Sequence, residues 1–140
     1  MFETMLLAVD GSEHSQRAAR VAGDLARAVK ARELCLVVAY EPIPHALGEP
    51  NLSDAIEART EEAQAILAKS KAEIGSLPMT VNTEILEGPA AEAILKVAAT
   101  RKSDIIIMGS RGLGRLEGAL LGSHSQKVVS QAVCPVLIVR

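Results

Sequence analysis

Five short apolar runs recur along the chain, and a segment with helical spacing separates each from the next. That alternation restricts the fold more than any single motif does. The first run, Met5-Leu6-Leu7-Ala8-Val9, ends at Asp10-Gly11-Ser12. Ala18, Val21, Ala22, Leu25 and Val29 follow at intervals of three and four, one face of an amphipathic helix. Leu34 to Tyr40 reads as a second strand. The loop after it carries Pro42, Pro44 and Pro50 and is predicted to hold no regular structure. Ser53 is the expected N-cap of the next helix, with Ile56, Ala63, Ile66, Leu67 and Ile74 as its core stripe. Pro78 to Glu87 alternates in polarity, as an edge strand with one less-covered face would. Gly88-Pro89 opens a helix carrying Ala93, Ile94, Val97 and Ala98. Asp104 to Gly109 has an unbroken apolar centre, hence a strand buried on both faces. After a glycine-rich stretch over 110–121, Gly122-Ser123 starts a helix reaching about Ala132. Pro135 to Val139 closes the chain as a fifth strand, with proline where a missing donor is tolerated.

Strand and helix in strict alternation predict an α/β three-layer sandwich: a five-stranded parallel sheet covered on both faces, joined by right-handed crossovers. The expected strand order is 3-2-1-4-5, and residues 1–140 are expected to form one domain. Composition removes several function classes. Charge sums to −2, and with one Phe, one Tyr and no Trp the chain has neither bulk positive charge nor stacking platforms for nucleic acid. No apolar stretch approaches the ~18 residues of a membrane span. The opening residues have no basic leader character, so no signal peptide is expected. Cys35 and Cys134 show no metal spacing and suit a reducing cytoplasm as core residues; His14 and His45 are expected to face solvent.

Ligands of open parallel sheets sit outside the carboxyl ends of the strands, where strand order reverses. Residues just after strands one and four are therefore the candidates. Asp10-Gly11-Ser12 could be simply a turn with Ser12 as helix cap. The stretch after strand four is richer. Gly109 and Gly112 permit close backbone approach to a ligand. Gly122-Ser123 stands where helix amides and dipole favour an anion, and the Ser123 hydroxyl can cap the helix or bind a phosphate oxygen. Three other glycine motifs fail. A P-loop needs Lys-Ser/Thr where Arg115-Leu116 stands. The dinucleotide fingerprint lacks its third glycine and its acidic partner. No G-x-S-x-G elbow is present, because Gly122-Ser123-His124-Ser125 lacks the closing glycine.

Gly109-x2-Gly112-x9-Gly122-Ser123 resembles the signature of the ATP-binding branch of the universal stress protein family. Asp10-Gly11-Ser12, Glu87-Gly88-Pro89, Ile107-Met108-Gly109-Ser110-Arg111-Gly112 and Cys134 to Val139 are also similar to that family, in the same order along the whole chain. The resemblance implies a Rossmann-like, adenine nucleotide alpha-hydrolase-like fold. It implies that Asp10 lies near the adenosine and that backbone at Ala39 holds the adenine. Ala8 stands where the family often has proline. Met108 and Gly109 would close over base and ribose; Gly112, Gly122 and Ser123 would take ribose and phosphates. His124 and Ser125 occupy the next two family positions, and His124 departs from the usual small apolar residue. With so few aromatics, aliphatic walls and strand-end backbone must hold an adenine. Arg111 and Arg115 could neutralise phosphate, and Mg²⁺ (or Mn²⁺) would be held mainly through the phosphates.

The function this implies is a cytoplasmic, ATP-binding, stress-response sensor or regulator and not an enzyme, since no Lys or carboxylate stands as an obvious base. A competing reading is a dimeric interaction module of the same fold that binds no nucleotide. A receiver domain is disfavoured, because strand one ends in a single Asp10 and strand three in Glu87-Gly88. Val136 to Val139 would form an exposed apolar edge, so a homodimer through this strand is expected, with neither nucleic acid nor membrane as partner.

Overall fold

The computed structural model describes residues 1–111 and 121–140. Its elements run β1 (Thr4–Ala8), α1 (Glu13–Val29), β2 (Glu33–Tyr40), a 3₁₀ turn (His45–Leu47), α2 (Asn51–Ile74), β3 (Thr80–Glu87), α3 (Ala90–Arg101), β4 (Ile105–Gly109), α4 (Ser123–Gln131) and β5 (Val136–Val139). All strand pairings are parallel, in the order β3-β2-β1-β4-β5. The fold class is the one the alternation predicts, and the strand order is the expected 3-2-1-4-5.

The pleat sorts the strands' side chains into two cores. Met5, Leu7 and Val9, with Leu34, Leu36, Val38, Ile105 and Ile107, pack beneath residues of α1 and α2. Leu6 and Ala8, with Cys35, Val37, Ile106 and Met108, pack beneath Ala91, Ile94, Val97 and Ala98 of α3 and Val128 of α4. The innermost strands β1 and β4 are thus apolar on both faces, as the unbroken runs require. The buried face of α1 is narrower than its leucines and valines suggest: Ser15, Ala18, Ala19, Ala22, Gly23 and Ala26. These small residues bring the helix close to its neighbours. A Cβ at Gly23 would stand 3.0 Å from the Ile74 carbonyl oxygen of α2.

Three local expectations are corrected. Ser53 is not a cap: α2 starts two residues earlier, at Asn51, with Pro50 at the N-cap position and no side-chain cap. The Ser53 hydroxyl donates instead to the Glu49 carboxylate. The proline loop holds a 3₁₀ turn at His45–Leu47. His14 does not face solvent; its Nδ1 lies 2.7 Å from the Ser110 hydroxyl, between α1 and the end of β4. His45 is exposed. Cys35 is buried, and Cys134 is half-buried against the second core. Among the described residues no helix is long and apolar enough to cross a membrane.

Candidate functional site

A cavity of about 400 Å³ opens at the carboxyl end of the sheet, on the face covered by α3 and α4. That is within the size range of small-molecule sites, ~300–1,000 Å³. Ala8 and Asp10 after β1, Ala39 from β2, and Met108, Gly109 and Arg111 from β4 line it. Gly122, Ser123, His124 and Ser125 line it from the start of α4. The candidates drawn from the sequence therefore meet in one place. Gly112 and Arg115 lie outside the described residues.

At one end of the cavity, strand geometry exposes backbone. The Val37 carbonyl accepts from Val9 N–H at 3.0 Å, and the Tyr40 carbonyl from Gly88 N–H at 2.8 Å. Alternate residues of β2 thus turn their backbone groups toward β1 and toward β3. Ala39 belongs to the set facing β1. The last residue of β1, Ala8, pairs with Val37. Ala39 therefore offers its N–H and C=O beyond the end of that ladder, beside the cavity.

At the other end lies the start of α4. Gly122 is the N-cap, in extended conformation (φ −70°, ψ 166°), and gives no side-chain cap. Ser123 is the first helical residue, so its hydroxyl does not cap the helix. The first amides of an α-helix have no acceptor within it. Gly122 N–H is engaged, donating to the Ser110 carbonyl at 2.7 Å and so joining the start of α4 to the end of β4. Ser125 is buried, and its hydroxyl donates to the Gly109 carbonyl at 2.9 Å, tying α4 to β4. Ser123 and His124 are exposed. No acidic residue occupies the first turn.

The start of α1 is built in the opposite way. Ser12 Oγ accepts from Ser15 N–H at 3.2 Å, Asp10 Oδ1 accepts from Ser12 N–H at 2.9 Å, and Asp10 N–H donates to Ser15 Oγ at 3.0 Å. The turn-and-cap reading of Asp10-Gly11-Ser12 is thus correct in geometry, while Asp10 also lines the cavity. Gly109 has a reason to be glycine that the sequence did not reveal. A Cβ there would lie 2.8 Å from both C and Cβ of His14. Its missing side chain lets α1 seat against β4, independently of any ligand.

Sequence reasoning missed Val9, Ser15, Val37, Glu41, Gly88, Ala90 and Ile94, which also line the cavity. Two of them carried a signal. Glu41 continues the side-chain alternation of Cys35, Val37 and Ala39, and Gly88 follows β3 as Asp10 follows β1. Ile94 reads only as core because α3 reaches the site through a crossover. Cys35, below the site, is not a nucleophile: burial, helped by the Glu84 and Glu33 carboxylates and opposed by Arg101, pushes its thiol up to about 11.

The sequence profile of the universal stress protein family matches residues 1–140. The chain belongs to the universal stress protein family. It is 50% identical over 140 residues to a universal stress protein of Thermus aquaticus, covering 100% of both chains. The solved structure of the Methanocaldococcus jannaschii universal stress protein MJ0577 superposes with a TM-score of 0.88 at 30% identity, over 99% of this chain and 96% of that one. A universal stress protein crystallised in complex with cAMP superposes with a TM-score of 0.72 at 26% identity, over 99% of this chain and 96% of that one. The family assignment rests on the whole chain, and nucleotide binding is a property of some relatives.

Proposed function

We propose that this universal stress protein binds ATP, or another adenine nucleotide, in the cavity at the carboxyl end of its sheet. The observation that carries this reading is the pairing, across one cavity, of two sets of backbone groups that have no partner among the described residues. The Ala39 edge suits the hydrogen-bonding rim of an adenine. The uncapped start of α4 suits phosphate, since helix amides and dipole favour an anion by ~0.3–1 kcal/mol, and up to ~2 kcal/mol when partly buried. Ala8, Val37, Ile94 and Met108 give the base the aliphatic walls that a chain nearly free of aromatics must use. A relative in complex with cAMP supports an adenine nucleotide as the ligand class.

Among the described residues no group of three or more His, Cys, Asp and Glu could hold a metal ion. Mg²⁺ (or Mn²⁺) would accordingly arrive with the phosphates, with Asp10 as the nearest carboxylate of the β1 end. The protein acts as a cytoplasmic stress-response sensor whose nucleotide state changes its contacts, without being an enzyme. It works as a homodimer through Val136–Val139, the edge strand of the sheet, whose side chains are half-buried in the single chain. The competing interaction-module reading needs His124 to block the phosphate end. His124 is solvent-exposed, and the cavity stands open beside it.

Mass spectrometry of small molecules released from the purified protein, followed by calorimetric titration with ATP and Mg²⁺, tests the reading. Saturable binding is expected. No heat at millimolar nucleotide, with no nucleotide released, overturns it. Light scattering checks the assembly, and a monomer at micromolar concentration contradicts the β5 dimer.

A further inference from the structure

The cavity is electrostatically lopsided. Arg111 and the α4 amides stand at the β4 side, whereas Glu41 stands at the end of β2, the side away from them. β2 and β4 flank β1, so the two ends are two strand spacings apart, ~10 Å. That is about the length of a nucleoside, which places the base, and not the phosphates, beside Glu41. This argument rests on the nucleotide reading above and asks which base the site selects.

Glu41 is the first residue past β2 and lines the cavity. Cys35 and Val37 lie in the core under α3, and Ala39 and then Glu41 follow at steps of two on the same face. Gly88 and Ala90, both small, leave the space beside it open. The neighbouring carboxylates are in use: Glu87 Oε1 accepts from Ile43 N–H at 3.2 Å, and Asp10 Oδ1 accepts from Ser12 N–H. Glu41 has no such partner among the described residues. A carboxylate only accepts hydrogen bonds, so it complements an amine and opposes a carbonyl oxygen.

We propose that Glu41 is a specificity-determining residue that selects a 6-amino purine over a 6-oxo purine by accepting a hydrogen bond from the exocyclic amine. Adenine presents that amine; hypoxanthine and guanine present an oxygen at the same position. Because Glu41 is exposed, the discrimination is that of a solvated charged hydrogen bond, about tenfold in affinity.

Titrating ATP and ITP, which differ at the 6-substituent and in the proton that hypoxanthine carries on N1, into wild type, Glu41→Gln and Glu41→Ala tests the assignment. Because the Ala39 backbone also reads the adenine rim, the ATP-over-ITP preference of wild type is expected to exceed that of both variants by about tenfold. Using the ratio removes the general gain that any nucleotide triphosphate obtains from losing a nearby negative charge. Thermal unfolding of the variants is expected to match wild type, since the side chain is exposed. A ratio unchanged in the variants, or a wild type that binds both equally, overturns the assignment and leaves the nucleotide reading standing. A wild type that binds neither overturns the nucleotide reading, and this assignment with it.

Discussion

Two helices begin at the carboxyl edge of this sheet, α1 after β1 and α4 beyond β4, and they begin differently. The start of α1 is closed by its own sequence: Ser12 caps it, Asp10 holds the preceding turn, and Glu13 sets a negative charge in the first turn. Among the described residues, the start of α4 has neither a side-chain cap nor an acidic residue in its first turn. Gly122 offers no cap, and Ser123 and His124 are exposed at the cavity rim. A cap contributes ~1 kcal/mol, so its omission is a standing cost to stability. The lesson is that a binding end of a helix is recognised by what it leaves out. On the proposed reading, the capped helix serves mainly the fold and the uncapped one the ligand.

The glycines at the two places separate in the same way, and substitution can break the comparison. Gly122 has a backbone conformation open to any residue, so Gly122→Val is expected to cost the fold no more than about 1 kcal/mol. Nucleotide affinity should nonetheless fall at least ~100-fold, ~2.7 kcal/mol, because the added side chain takes phosphate space. Urea unfolding and calorimetry on one sample check both halves. Gly109→Ala should do the reverse. Its Cβ would press on the His14 backbone at 2.8 Å, and overpacking of that kind costs ~1–3 kcal/mol with or without nucleotide. A Gly109→Ala protein of wild-type stability would show that α1 is not seated as described.

The serines give smaller effects. Ser12→Ala removes the cap on Ser15 N–H and is expected to lower stability by ~1 kcal/mol, read from the urea midpoint, with ATP affinity little changed. Ser123→Ala should leave stability within ~0.5 kcal/mol, since the hydroxyl caps nothing. It should weaken ATP binding by the ~0.5–1.5 kcal/mol of one hydrogen bond. If Ser12→Ala weakened nucleotide binding as much as Ser123→Ala, the division of labour between the helices would fail.

Much of this was legible in the sequence because periodicity records burial directly. The unbroken run Ile105–Met108 announced a strand covered on both faces, and Asp10, Ala39 and Gly122 were placed by lying just beyond strands or at a helix start. What was not legible depends on distant pieces of chain meeting. His14 pairs with Ser110 only because Gly109 lets α1 approach, and no local pattern encodes that contact. Ile94 carries the same helical spacing whether it lies in the core's middle or at the cavity wall. The start of α2 was misplaced because Ser53 has the composition of a cap, while the chain turns at Pro50 and needs none. Glu41 was not legible because it lies past the end of β2, where a charged residue reads as an ordinary solvated loop position.

Amide-resolved NMR during addition of ATP and Mg²⁺ tests the central contrast most directly. The backbone amide signals of Ser123, His124 and Ser125 should move saturably as phosphate engages them, while those of Glu13, His14 and Gln16, which do not line the cavity, stay nearer their starting positions. Equal movement at both helix starts, or movement at the α1 start alone, would contradict the assignment of the phosphate site to α4.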